Sequence, residues 1–254
     1  MPFTFAHPAA VLPLRRHLWF PGLAVGSMAP DIVYYLPVLG GPATTHSVAA
    51  LGVDLALGLV LTAIGYLVLA PLLALFPAGW RARVAPPDLA TQLSTWRARV
   101  IAAWSVVVGA ATHLARDAIT QTNGAAVRHW PELRLSVVGS HRLYNVIGYV
   151  SSLGGLLLLG VVATRWYRHA PRDHGNQWRT LPNRVRRWVL GVLTAAAVGR
   201  AAIAFDIPMR RVSSYDLVRH VLIGGVQGAG LVLALYVLCW HLTRTLVRTR
   251  RLSA

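Results

Sequence analysis

The chain has 254 residues, 55% hydrophobic and only 13% charged, with a mean hydropathy of +0.51, which is too apolar for one or two soluble domains. Its formal net charge is +17, yet every basic residue is Arg and no zinc-finger or RNA-binding spacing occurs, so nucleic acid is not an expected partner. The arginines lie mostly between apolar runs, where they act as topology signals and contacts to membrane lipids. The single cysteine, Cys239, excludes an internal disulfide and a thiolate zinc cluster.

In chain order, residues 8–40 come first, apolar but interrupted by Pro13, Pro21, Pro30 and Pro37. This pattern predicts a broken or re-entrant helical segment, which is tolerated at membrane depth only when buried in protein or lining a wet cavity. No basic stretch followed by a short apolar core marks a cleaved leader, so His7 is expected in the mature protein. Five apolar segments follow, at about 47–76, 100–120, 143–164, 188–206 and 217–243, each near the ~18–20 residues that cross a hydrocarbon core. Pro71 and Pro77 are expected to kink or close the first. The expectation is an all-α polytopic bundle, one integral membrane domain over 1–254. Residues 1–46 form its site-forming segment, 47–243 the bundle and 244–254 a basic cytoplasmic tail.

The loops at 77–99 and 165–187 and the tail hold four, seven and four arginines; the opposite side holds two, three and two. The richer side is therefore expected to be cytoplasmic. All-Arg usage with Ala, Gly and Val richness fits a GC-rich bacterial genome, and hence a multi-pass protein of a bacterial inner membrane.

With that topology the titratable groups gather at the other end. His46 in "TTHS" opens the first long segment, and His113 and Asp117 in "ATHLARDAIT" lie near the end of the second. His141 precedes the third, Asp206 ends the fourth, and Arg219 with His220 begin the fifth. His7 and Asp31 precede the first segment and can reach the same rim. His113 and Asp117 are spaced i, i+4, one turn apart on one helix face. That pair can ligate one metal ion, with His46, Asp31 and His7 as candidates to complete four or five ligands. Nitrogen and oxygen donors suit zinc, manganese or iron, with a position left for water, and such a metal supplies hydroxide near neutral pH. Asp54, about two turns deeper than His46, is a second buried acid; it fits a proton relay, a ligand, or an ion pair with Arg116 or Arg200.

"MPFTFAHPAAVLPL", "GSMAPDIVYYL", "TTHS" followed by "DLALG", and "THLARDAIT" resemble, in this order, an uncharacterised family of bacterial integral membrane proteins, one of the domains of unknown function. The resemblance covers most of the first 155 residues. The same skeleton is similar to membrane-bound metal-dependent hydrolases and, more remotely, to zinc-dependent phospholipase C. That similarity implies His7, Asp31, His46, His113 and Asp117 as metal ligands. One position departs from it: Gln121 stands where the family often has a second His, and Gln is neither a general base nor a good ligand.

The leading expectation is a metal-dependent membrane hydrolase acting on an ester or phosphoester, possibly a lipid entering from the outer leaflet. Zinc is the first expected ion, with magnesium or manganese as alternatives. His141 and Asp54 are the candidate proton-transfer groups, and Arg116 or Arg142 the partners of a phosphate. Two rivals use the same residues. One is a magnesium enzyme of isoprenoid diphosphates, for which no repeated Asp-rich motif is present. The other is a transporter or scaffold in which the cluster relays protons or joins helices.

Overall fold

A computed structural model describes residues 4–36, 40–139, 141–172, 180–205 and 214–252, the last segment by backbone alone at 214–216 and 247–252. Five long helices dominate: α1 (Leu51–Leu75), α2 (Trp96–Thr120), α3 (Leu143–His169), α4 (Asn183–Ala204) and α5 (Ser214–Leu252). All five are long and apolar enough to cross a membrane, as expected of a multi-pass membrane protein. Their outward residues include Leu59, Val60, Leu67, Leu157, Val198 and Leu231, which suits hydrocarbon contact. The fold class is the expected one.

Helix ends shift from the predicted segments for local reasons. The second begins earlier, at Trp96, because the Thr95 hydroxyl accepts from the Ala98 N–H and caps the first turn. The first runs unbroken through Pro71 and stops at Leu75, ahead of Pro77. The fourth ends at Ala204; Asp206 and the arginines at 179, 210 and 211 lie outside the described residues.

Before α1 the chain breaks into short turns: Thr4–Ala6, Pro8–Val11, Leu12–Arg16, Phe20–Gly26, Ala29–Asp31, Ile32–Tyr35 and Pro42–Thr44. The longest, Phe20–Gly26, rises only about 10 Å, too short to span. Prolines start most of these turns, consistent with their fixed φ and missing N–H. A small hairpin, β1 (Ser136–Val138) with β2 (His141–Arg142), leads into α3.

The contacts group into two compact units, 1–65 with 87–170 and 66–86 with 171–254. In the second, α4 packs along α5, with Gly224 and Gly228 against the Arg200 and Ala196 carbonyls; the Tyr236 hydroxyl donates to the Pro71 carbonyl at 2.8 Å. Arg219 and His220 belong to this unit.

In the first unit Phe20–Gly26 lies against α2 and Pro8–Val11 against α3. The centre is polar: His7, Ser27, Asp31, Thr45, Asp54 and His113 are nearly or wholly buried. Two glycines allow the closest approach. A Cβ on Gly26 would strike the Val106 backbone, and one on Gly109 would strike the Leu23 carbonyl and the Ser27 N–H. Replacing Gly109 with Ala is expected to push the short helix off α2 and destabilise the unit by about 1–3 kcal/mol. Thermal unfolding in detergent checks this, with Gly65→Ala, which meets nothing within 4 Å, as control.

Candidate metal centre

The site is assembled from three separate stretches of chain. Asp31 ends the Ala29–Asp31 turn, His46 stands just ahead of α1, and His113 and Asp117 project one turn apart from α2. Each offers one ligand atom, and the four atoms lie within 4.8 Å of one another, so this buried cluster can hold a metal ion. Around the ring, His46 Nε2 is 3.4 Å from Asp31 Oδ1, which is 3.6 Å from His113 Nε2. His113 Nε2 is in turn 3.3 Å from Asp117 Oδ2, which is 3.6 Å from His46 Nε2.

The outer bonds of each ligand decide what its inner atom can do. The His113 Nδ1 lies 2.9 Å from the Ser27 carbonyl, which can only accept, so Nδ1 carries the proton. The Thr45 hydroxyl gives its one proton to the Pro30 carbonyl at 2.8 Å, so His46 Nδ1 donates to Thr45 Oγ1 at 2.9 Å. With Nδ1 committed to an oxygen in both rings, Nε2 is the atom each imidazole turns to the centre, and in the neutral ring it is a bare lone pair. Asp31 Oδ2 accepts from Thr4 Oγ1 at 2.6 Å, which leaves Oδ1 facing the two histidines. The Tyr35 hydroxyl stands 2.9 Å behind Thr4. Asp117 Oδ2 accepts from Gln121 Nε2 at 3.0 Å.

The motifs thus divide their labour. In "TTHS", Thr45 orients His46 and Ser47 caps the turn that enters α1 by accepting from the Ala50 N–H. In "GSMAPD", Gly26 allows close approach, Ser27 holds His113, and Asp31 enters the ring. Thr4, Ser27, Thr45 and Gln121 were not anticipated as supports. The hydroxyls beside expected ligands were a usable signal for Thr4 and Thr45; a carbonyl such as that of Ser27 carries none.

His7 lies beside the ring and not among its four donors. It stacks on His113, with centroids 4.0 Å apart and planes at 19°, and its Nε2 is 3.9 Å from Asp31 Oδ2. Burial pushes its pKa down to about 2, so the ring is neutral.

Asp54 is fully buried, and among the described residues neither carboxylate oxygen is hydrogen-bonded; it interacts electrostatically with His46 and His113. Of its suggested partners, Arg116 is bonded to Ser151 and Ser152 and Arg200 to Gln227. His141 sits in β2 with its ring against Tyr149, outside the four-donor group. Arg142 is exposed and donates from Nη1 to the Arg134 carbonyl at 3.3 Å.

The chain belongs to the family defined as a domain of unknown function, DUF4184. The family covers residues 1–239, which includes every residue of the cluster. No curated protein and no solved structure matches the chain.

Gln121 gives the cluster a direct test, since it bonds the same oxygen that faces both histidines. Gln121→Ala is expected to weaken metal affinity by about 10–100-fold without unfolding the protein. Competitive titration with a chromophoric chelator measures it, with circular dichroism as the folding check.

Proposed function

We propose that this protein binds one zinc ion through Asp31, His46, His113 and Asp117 and hydrolyses an ester or phosphoester at a bacterial inner membrane. The observation that carries the reading is that two imidazole Nε2 atoms, whose Nδ1 atoms are committed elsewhere, face two carboxylate oxygens, of which Asp117 Oδ2 alone receives a donor, from Gln121. Four buried acceptors turned toward one point repel unless a cation sits between them. Protonated histidines are the other source of positive charge, but charge-assisted N–H···O bonds run about 2.7–2.9 Å. The observed 3.3–3.6 Å are longer than that. They match instead the edges of a tetrahedron with ligand distances of about 2.0–2.2 Å, as zinc prefers for His and Asp. Magnesium favours an all-oxygen octahedron and suits two imidazoles poorly.

A divalent ion here lowers the pKa of bound water towards neutrality, which is what hydrolysis at physiological pH requires. Access favours the edge shared by His46 and Asp117, whose side chains are 15% and 8% exposed, whereas Asp31 and His113 are at zero. Asp54, buried beside the histidines, is the internal group best placed to hold a proton. The arginine asymmetry supports placing the site at the extracytoplasmic rim, where a lipid ester can enter from the bilayer.

A second reading has one observation in its favour: four protein donors converge, and four protein ligands with no open position are the pattern of a structural zinc site. A metal of that kind would pin the N-terminal segment to α1 and α2 without chemistry. Metal analysis and turnover separate the two. The purified wild type is expected to carry one zinc per chain and to hydrolyse a p-nitrophenyl ester or bis-p-nitrophenyl phosphate. His113→Ala and Asp117→Ala should each lose the metal and at least about 99% of that turnover. Wild type without stoichiometric metal rejects the proposal. Metal without turnover, together with unfolding on chelation, selects the structural role.

A further inference from the structure

Arg116, one residue before Asp117 and three after His113 on α2, is a charged group that the metal ring leaves unused. Its guanidinium is held from one side. Nε and Nη2 donate to Ser151 Oγ at 3.3 and 3.1 Å, and Nη2 donates to Ser152 Oγ at 2.7 Å. Both serines spend their own protons on the Gly148 carbonyl, at 3.1 and 2.7 Å. They are therefore acceptors only, and they fix the plane of the guanidinium against α3. Nη1 is shielded from solvent and has no hydrogen-bond partner among the described residues. The charges that act on Arg116 are those of Asp117 and Asp31, and it forms an ion pair with neither.

An arginine inside a membrane-spanning helix is costly and needs a partner. The two carboxylates of the ring are matched by a divalent ion, which leaves the guanidinium charge to be met from outside the protein. Two idle N–H groups on a shielded cation are a strong site for an oxyanion and a poor one for a neutral ester.

We infer that Arg116, locked by Ser151 and Ser152, is the anion-binding arm of the site and selects substrates that carry a phosphoryl group over neutral carboxylic esters. The inference rests on the metal-dependent reading above and narrows its substrate class. Metal and arginine together form the clamp on which phosphoryl chemistry relies, the arginine contributing binding that a neutral ester cannot use. Ser151 and Ser152 are positioning residues. The phosphoryl group can arrive on a lipid headgroup or on a soluble ester.

Isothermal titration of the full-length protein with inorganic phosphate tests this, with zinc content measured on the same samples. Arg116→Gln is expected to keep its zinc and lose phosphate affinity by about tenfold or more, while Arg116→Lys, which keeps the charge but not the fork, loses less. Ser151→Ala combined with Ser152→Ala is expected to weaken phosphate binding by a few-fold with zinc unchanged. Competition with phosphate by phosphatidylglycerol nanodiscs assigns the source to a lipid; competition by glycerol 3-phosphate alone assigns it to a soluble ester. Equal phosphate affinity in wild type and Arg116→Gln, both zinc-loaded, overturns the inference and leaves the metal reading standing. Loss of zinc from both Arg116 variants also overturns it, by placing the guanidinium in support of the metal shell. A wild type that binds no zinc overturns the metal reading and this inference with it.

Discussion

Asp31 is the point on which the N-terminal unit turns. Its carboxylate is wholly buried, and its two oxygens answer to different parts of the chain. Oδ2 takes the Thr4 proton from the first turn, while Oδ1 faces the imidazoles of His46 and His113. A buried carboxylate is tolerable only when such partners are in place. The same requirement explains why a proline-broken leader stays packed on α2 and α3: its backbone polar groups are used there. The Ser27 carbonyl holds His113, and the Pro30 carbonyl receives Thr45.

Polarity in this unit is reversed relative to a soluble domain. Long apolar side chains cover the outside of the helices, while histidines, carboxylates and hydroxyls share the interior with a few apolar residues such as Leu23 and Val106. Lipid provides no hydrogen bonds, so most inward polar groups find their partners within the protein, and those that do not, such as Asp54 and Arg116 Nη1, stand out. The hydroxyls of Thr4, Thr45, Ser151 and Ser152 meet that need while setting the direction of the groups they touch. Glycines at 26 and 109 perform the complementary task, removing side chains where two backbones must come close.

The bundle and the four residues of the Asp/His cluster were legible in the sequence because they depend on local signals. Apolar runs of spanning length reveal the helices, and a four-residue spacing places His113 and Asp117 on one face. Gln121 looked like a defect beside them, since it can neither ligate well nor act as a base. In the fold its amide reaches back one turn to Asp117 and becomes a support. His7 is displaced the other way. It was expected in the ring, and it stacks on the His113 ring instead, 3.9 Å from the far oxygen of Asp31. His141 belongs to the hairpin and pairs with Tyr149, a placement that its position ahead of α3 did not reveal.

By itself the sequence determined that the chain is helical, membrane-seeking and provided with a small set of His and Asp residues near helix ends. Hydropathy and periodicity act over a few turns and need no knowledge of the fold. Only the tertiary structure decided which of those residues meet, which nitrogen of each histidine faces the centre, and that Arg116 is bolted by two serines with Nη1 buried and without a partner among the described residues. These depend on backbone carbonyls and on contacts across 86 residues, as between Ser27 and His113, which leave no trace in composition or spacing.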